Sequence, residues 1–419
     1  MEDPTDFAEK DEPISGRFRA TGQGVRHLPP KYHQENLSTW KLRIRNFTAS
    51  WYTVNMGTGV VSSVLINIPF KARWLYYLSI IVFCLNVLLF GVITLTNIAR
   101  YVMVPRVWSL MMGNKTQALF IGTFPIALST IINMLLAVCV PAWGPWTVTF
   151  TWTLWWINVA LCLFTTFYVP FVIFLASHND LSQMTAAWCL PFLSPMTCSV
   201  AGAAMAAALP DPDHGLWTLI VSYLLYGISA PVGLMFTGIY LYRTLLYDLP
   251  PRELVVTVFL PVGLTSQASI ALLQLGAAAR TILPQTGSIS ENAGEIIYVG
   301  GFFFGIVFWG FALLWLVFAA ATIINCKRFP FNMGWWGFTF PLGLFANGAV
   351  IIGTELPSKF FKVVGTIVTV VAILLWMVVF SLTAIRAVDG KMFVAPCLTD
   401  VVKDMETTDD SESTLRHVE

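Results

Sequence analysis

The dominant pattern along the chain is a series of apolar stretches separated by short polar segments. A helix of about 20 apolar residues crosses the hydrocarbon core of a membrane, and the chain contains ten stretches of about that length. The pattern therefore predicts an all-α integral membrane protein with ten transmembrane helices. The predicted spans are residues 47–68, 75–96, 117–140, 147–175, 186–209, 215–241, 254–279, 297–322, 335–353 and 363–385.

The polar segments divide the chain into three regions. Residues 1–45 are polar and contain several prolines, which is typical of a disordered tail, and residues 46–390 hold the spans. Residues 391–419 form an acidic tail rich in Ser and Thr. With the amino terminus inside, twelve Lys and Arg flank the inner ends of the spans and five flank the outer ends, which predicts cytosolic termini. The glycosylation sequons at Asn36, Asn46 and Asn114 all fall on this inner side.

A short motif recurs in the odd-numbered stretches, where a bulky apolar residue precedes a proline. The repeated positions are Pro125, Pro191, Pro261 and Pro341, with Gly57 in the first stretch. They lie 68, 66, 70 and 80 residues apart, one two-helix hairpin each time, which predicts five helical hairpins in a quasi-five-fold ring. A mid-helix proline kinks its helix and frees a carbonyl that lipid cannot satisfy. Five aligned kinks therefore predict a central pore, although a single proline kink more often serves packing.

Composition narrows what such a pore carries. Only 11% of the residues are charged, against about 25% in soluble domains, and none of the ten spans contains Asp, Glu, Lys, Arg or His. Because intramembrane charges usually mark proton relays and cation sites, we expect a neutral path whose N–H donors and helix amino ends favour anions. Polar residues near the repeat centres are the candidate substrate-binding residues, although each is also typical of helix-to-helix hydrogen bonding. They are Asn55, Thr58, Thr123, Ser129, Asn133, Thr265, Ser266, Gln267 and Asn347.

Other classes of function have weaker support. The five histidines are scattered through tails and loops without metal-ligand spacing or a neighbouring nucleophile motif, so we predict no enzyme activity, no metal site and no cofactor. A net charge of +1 without a basic stripe excludes nucleic-acid binding. A membrane scaffold or sensor that signals through the acidic tail is the alternative from another class.

Three segments resemble the tellurite-resistance/dicarboxylate transporter family, which includes the plant slow-type anion channels. The segments are Phe47–Gly59, Thr123–Asn133 and Trp335–Gly343. Within the family, the chain is most similar to fungal sulfite efflux pumps, in the segments Lys71–Leu75, Gly122–Pro125, Thr130–Asn133 and Leu260–Gln267. The resemblance covers roughly residues 40–390.

The resemblance implies a trimeric bundle of five hairpins whose odd helices surround a pore plugged by a phenylalanine of the ninth helix. That residue is Phe340, with Phe338 as the alternative, and Phe124 occupies the equivalent position of the third helix. The implied function is export of sulfite or bisulfite across a fungal plasma membrane. A malate or dicarboxylate permease is the alternative, for which we expect a fixed cation near the path. The sequence leaves open whether transport follows the membrane potential or a proton carried by the substrate.

Overall fold

The computed structural model describes residues 38–104, 107–176, 180–247, 250–287, 289–326 and 328–398. Within these ranges the chain is helical and contains no β-strand. The disorder predicted for the two tails concerns mainly residues 1–37 and 399–419, which lie outside the described residues. The last part of the predicted amino-terminal tail, Thr39–Arg45, forms a short helix in which Ile44 and Arg45 are buried.

Ten longer helices follow within the described ranges, and we label them α1 to α10. Their bounds are α1 Tyr52–Asn67, α2 Arg73–Met103, α3 Thr123–Met134, α4 Pro145–Ala176, α5 Leu190–Ala208, α6 Pro212–Leu246, α7 Leu260–Thr286, α8 Ala293–Asn325, α9 Trp336–Glu355 and α10 Lys359–Val388. A π-helical turn, Leu135–Cys139, and a short helix, Val140–Trp143, continue α3.

In the described part of the chain, nine helical segments are long and apolar enough to cross a membrane. They contain α2 to α10, with α3 counted together with its flanking turns as Lys115–Trp143. The first predicted span, residues 47–68, forms the 16-residue helix α1. This helix ends just before Pro69, because a residue that precedes proline disfavours the helical conformation. Membrane crossing by α1 stays a prediction.

The odd-numbered helices lie inside the bundle and the even-numbered helices lie outside. In their most apolar stretches, 94% of the residues of α5 and α7 are buried, against 28% in α2 and 22% in α10. The sequences explain the difference, since α5 is rich in Ala, a small residue that lets helices approach closely, whereas α10 is rich in Val, Ile and Leu. The even helices therefore present the apolar surface that suits lipid.

The inner helices contact one another in a closed cycle. Helix α1 packs against α3, α3 against α5, α5 against α7, α7 against α9, and α9 against α1. Each even helix packs against the inner helix that precedes it, so α1–α2, α3–α4, α5–α6, α7–α8 and α9–α10 are hairpins. The two ends of the membrane domain therefore meet where α9 contacts α1.

Three of the repeated prolines lie at the start of a helix rather than in its middle. Pro191 and Pro261 occupy the first turn of α5 and α7, and Pro125 is the third residue of α3. A 3-10 turn precedes each of these helices. Proline is favoured in a first turn, where its missing N–H has no partner to lose, so the mid-helix kinks expected at these residues are absent. Of the four repeated prolines, only Pro341 lies beyond the first turn of its helix, α9.

Gly57, the repeat position of the first stretch, which has no proline, is a site of close helix contact. A Cβ atom on Gly57 would lie 2.4 Å from Thr339 Oγ1 and 2.6 Å from Trp336 Cε3, distances that no real Cβ atom adopts. Both neighbours belong to α9, so Gly57 lets α1 and α9 meet. Trp336 also forms a hydrogen bond with α10, in which its Nε1 donates to Thr383 Oγ1 at 3.1 Å.

The odd helices all begin at one face of the bundle, which we call the Arg45 face because Arg45 lies there, and they end at the opposite face, the Lys71 face. Arg100, expected in a polar flank beyond the second span, lies in the last turn of α2 and is fully buried. Its Nε donates to the backbone oxygen of Arg45 at 3.0 Å. Arg243, in the last turn of α6, is likewise buried, so the bundle encloses cationic side chains at the ends of membrane-length helices.

Candidate functional site

A cavity of about 360 Å³ opens at the Arg45 face, and we call it the vestibule. Its walls are the segments that precede α1, α3, α7 and α9, together with the segment that follows α10. The polar residues that line it are Ser50, Thr116, Gln117, Glu253, Thr257, Asn332 and Lys391. The vestibule is therefore bounded by connecting segments, where polar side chains stay hydrated, rather than by the apolar middles of the helices.

The vestibule adjoins a much smaller cavity, the constriction, which lies deeper in the bundle. The two share lining residues, among them Phe120 and Thr257. The constriction has a volume of about 20 Å³, which admits one water molecule at most. Parts of all five hairpins line it, through Thr53, Met56, Phe120, Leu190, Leu260, Trp336, Phe340 and Pro341. A small oxyanion therefore fits within the volume of the vestibule but not within that of the constriction.

Phe340 is one of the bulky side chains of the constriction, and it is 2% exposed. The other two phenylalanines that the sequence singled out point elsewhere. Phe338 packs against Phe259, with ring centroids 4.9 Å apart, and neither ring lines either cavity. Phe124 stacks on Phe90 of α2, with centroids 5.6 Å apart. Of the three, Phe340 alone lines the constriction.

Several predicted substrate-binding residues make hydrogen bonds between or within helices. Asn55 Nδ2 donates to Asn86 Oδ1 at 3.0 Å, and Asn86 Nδ2 donates to Thr130 Oγ1 at 3.2 Å, which links α1, α2 and α3. Ser129 Oγ accepts from Asn158 Nδ2 of α4 at 2.8 Å. These partners lie on outer helices or on neighbouring inner ones, so the polar groups hold the bundle together.

Three further members of the predicted set are also engaged within the protein. Thr58 Oγ1 accepts from Trp376 Nε1 of α10 at 3.1 Å. Thr123 donates to the backbone oxygen of Phe120 at 2.6 Å, and Thr265 donates to that of Pro261 at 2.7 Å. Such bonds satisfy hydroxyl groups inside apolar helices, so a ligand role for these residues would require them to exchange partners.

The remaining members of the set lie farther along the inner helices. Gln267 and Asn347 follow Leu260 and Phe340 of the constriction by seven residues, about 10 Å along an α-helix. Asn347 Oδ1 accepts from Asn67 Nδ2 at 3.0 Å, while Gln267 Oε1 and Ser266 Oγ are buried without a partner among the described residues. Asn133 is half-buried. Their role as substrate ligands beyond Phe340 stays a prediction.

The vestibule residues themselves were missed by the sequence analysis. Glu253 and Asn332 lie in short polar segments between the predicted spans, Gln117 is the first residue of the third predicted span, and Lys391 lies at the start of the predicted tail. The available signal was their position just before an odd helix or just after α10. This signal becomes informative only once the odd helices are known to begin at one face.

The apolar outer layer and the inner cycle that encloses a polar vestibule and an apolar constriction define a multi-pass membrane protein of the transporter and channel class. Residues 46–384 match the family described as voltage-dependent anion channel. The chain belongs to this family, which confirms the membership expected from the motifs.

The chain is also similar to several individual transporters. A sulfite efflux pump of Arthroderma otae is 37% identical over 352 residues, which cover 84% of this chain and 94% of that protein. A sulfite efflux pump of Candida albicans is 27% identical over 353 residues, 77% of this chain and 70% of that protein. A malic acid transport protein of Schizosaccharomyces pombe is 26% identical over 369 residues, 85% of this chain and 83% of that protein.

Proposed function

We propose that this protein exports sulfite, or its protonated form hydrogen sulfite, across the plasma membrane. The observation that carries the proposal is the vestibule, which narrows to the constriction at Phe340 between parts of all five hairpins. The similarity to sulfite efflux pumps supports this choice of anion. The closed contacts of the odd helices support a quasi-five-fold ring around one conduction path.

Phe340 is the proposed gate of this path. A phenylalanine ring obstructs a narrow apolar pore and repels water, so passage requires a rotamer change or a helix movement. Gly57 allows the close contact of α1 with the Trp336–Thr339 turn of α9. This turn directly precedes Phe340. Small displacements of α9 against α1 would therefore change the width of the constriction.

The proposed orientation places the Arg45 face in the cytosol. Lys and Arg concentrate at the inner ends of the predicted spans, so the vestibule opens toward the compartment from which an exporter loads its substrate. Both termini are cytosolic in this arrangement. By its family resemblance, the assembled protein is a homotrimer in which each chain has its own path.

Malate or another dicarboxylate is the second candidate substrate. The similarity to a malic acid transport protein favours it. Two carboxylates call for fixed positive charge along the path, and the residues that line the constriction are all uncharged. We therefore rank malate below sulfite, since Lys391 is the one cation among the described residues that line the vestibule.

The test of the proposed function is flux through the purified full chain in proteoliposomes. Vesicles loaded with labelled sulfite should lose the label faster than protein-free vesicles, and labelled malate should leave more slowly than sulfite. Sulfite efflux equal to that of protein-free vesicles would contradict the proposal. The same experiment separates a transporter from a scaffold or sensor, since a scaffold moves neither anion.

A further inference from the structure

The vestibule combines one cationic and one anionic side chain with neutral hydrogen-bonding groups. Among the described residues that line it, the charged ones are Lys391 and Glu253, and neither belongs to an ion pair formed within the described ranges. Gln117 is 6% exposed, and its Oε1 has no partner among these residues. A buried amide oxygen normally accepts a hydrogen bond, so Gln117 places an unsatisfied acceptor in the vestibule wall.

Lys391 stands at the vestibule because the chain turns sharply after α10. Gly390 has a φ of +78°, a left-handed conformation that ends helices and suits glycine. Arg43 secures this turn, since its Nη2 donates to the backbone oxygen of Val388 at 2.8 Å and its guanidinium lies 5.7 Å from the centre of the Phe393 ring. The next residues pack against the bundle, so Lys391 is part of the vestibule wall and not of a free tail.

Glu253 is positioned from the segment before α7. Its backbone oxygen accepts from Asn332 Nδ2 at 2.9 Å, and its side chain is exposed along the same cavity. Arg386 does not line the vestibule, but it contacts a residue that does: its Nη1 donates to the backbone oxygen of Phe331 at 3.0 Å. A carboxylate at the mouth of an anion path repels anions, so its presence restricts which anion can bind.

We infer that the vestibule is a binding site selective for the singly charged anion, hydrogen sulfite. Lys391 donates a hydrogen bond to one of its oxygens, and Glu253 accepts the bond from its O–H group. Sulfite itself carries two charges and has no proton to donate, so Glu253 repels it without any compensating hydrogen bond. This inference rests on the proposed function and assigns the protonation state of the substrate at the point of loading.

The constriction beyond the vestibule suits the same choice. Its lining residues are uncharged, and the free energy needed to move an ion out of water rises with the square of its charge. A dianion is therefore disfavoured in the path far more strongly than a monoanion. Selection at the vestibule and passage through the constriction favour the same form of the substrate.

The test measures initial sulfite efflux from proteoliposomes of the full chain at a series of pH values, because the balance between hydrogen sulfite and sulfite changes near neutral pH. Wild-type flux should fall as the pH rises and sulfite becomes dianionic. Glu253→Gln keeps the hydrogen-bond acceptor but removes the repulsion, so its flux should fall less at high pH, and added sulfate should compete with sulfite in this variant alone.

Lys391→Met should raise the half-saturating sulfite concentration about five- to tenfold, the effect of removing one partly hydrated charge contact.

Glu291→Gln and Lys359→Met are matched controls, since both residues are exposed and lie outside the vestibule. They should behave like the wild type. The inference is overturned if Glu253→Gln keeps the wild-type pH profile, or if Lys391→Met keeps the wild-type half-saturating concentration, while the wild type transports sulfite. If the wild type carries no sulfite at any pH, the proposed function itself fails, and the inference fails with it.

Discussion

At the scale of single residues, Phe340 gives the most direct test of the conduction path. It is buried among the residues of the constriction, and Phe340→Ala removes the ring without changing Pro341 beside it. We expect anion flux per protein to rise by at least about tenfold, equivalent to a barrier lower by about 1.4 kcal/mol, with weaker discrimination between anions. The measurement is anion efflux from proteoliposomes of the variant.

Phe338→Ala is the matched control for Phe340→Ala. Phe338 is also a buried phenylalanine of α9, but it packs against Phe259 and Trp335 outside the two cavities. Its truncation should lower stability by about 3–5 kcal/mol, as for other buried phenylalanines, without raising the flux. Equal flux changes in the two variants would show that loosened packing, and not an opened gate, accounts for both.

The sequence identified Phe340 by its motif but could not separate it from Phe338 and Phe124. Periodicity shows which face of a helix is apolar, and the inner helices are apolar on nearly every face because they contact protein all round. The direction of each side chain is therefore set by its neighbours, such as Phe90 for Phe124. The sequence allowed the candidate polar residues to bind substrate or to hydrogen-bond between helices, and it did not show that Asn55 and Ser129 bond to other helices.

At the scale of elements, the contact of α1 with α9 depends on Gly57. In Gly57→Ala the added Cβ meets Thr339 and Trp336 at distances below 3 Å, so the two helices must separate. We expect a loss of stability of about 1–3 kcal/mol, typical of overpacking, measured as a lower unfolding temperature in detergent.

Gly91→Ala provides the comparison for that variant. Gly91 lies in α2 with open space around it, and replacing an exposed helical glycine by alanine stabilises a helix by about 1 kcal/mol. The two variants should therefore shift the unfolding temperature in opposite directions. A Gly57→Ala protein as stable as the wild type would mean that α1 and α9 do not meet closely in the membrane.

Hydropathy predicted where most helices lie but not how they begin. The apolar stretches located nine membrane-length segments and the hairpin period, because length and composition alone decide those features. The 3-10 turns before α3, α5 and α7 were missed, and their prolines were taken for mid-helix kinks. A proline in the first turn and one in the middle of a helix look alike in sequence when the preceding residues are also apolar.

At the scale of the whole molecule, the proposed orientation can be tested by glycosylation. A sequon inserted after Glu291, between α7 and α8 at the Lys71 face, should be glycosylated when the protein is made in a eukaryotic cell. The natural sequon at Asn114, at the Arg45 face, should remain unmodified. The readout is a mobility shift that an endoglycosidase removes. Modification of Asn114 instead would invert the topology and place the vestibule outside the cell.

The closed cycle of inner helices has a consequence for biosynthesis. Hairpins enter the membrane in chain order, and the contact between α9 and α1 joins the last hairpin to the first. Until the fifth hairpin is inserted, the nascent bundle is an open arc whose vestibule lacks one wall, and polar groups such as Thr58 of α1, whose partner Trp376 lies on α10, have only lipid or other proteins to face. A ribosome that stops before α9 therefore releases an insertion intermediate with a polar flank in the bilayer, a substrate for membrane quality control rather than a smaller transporter.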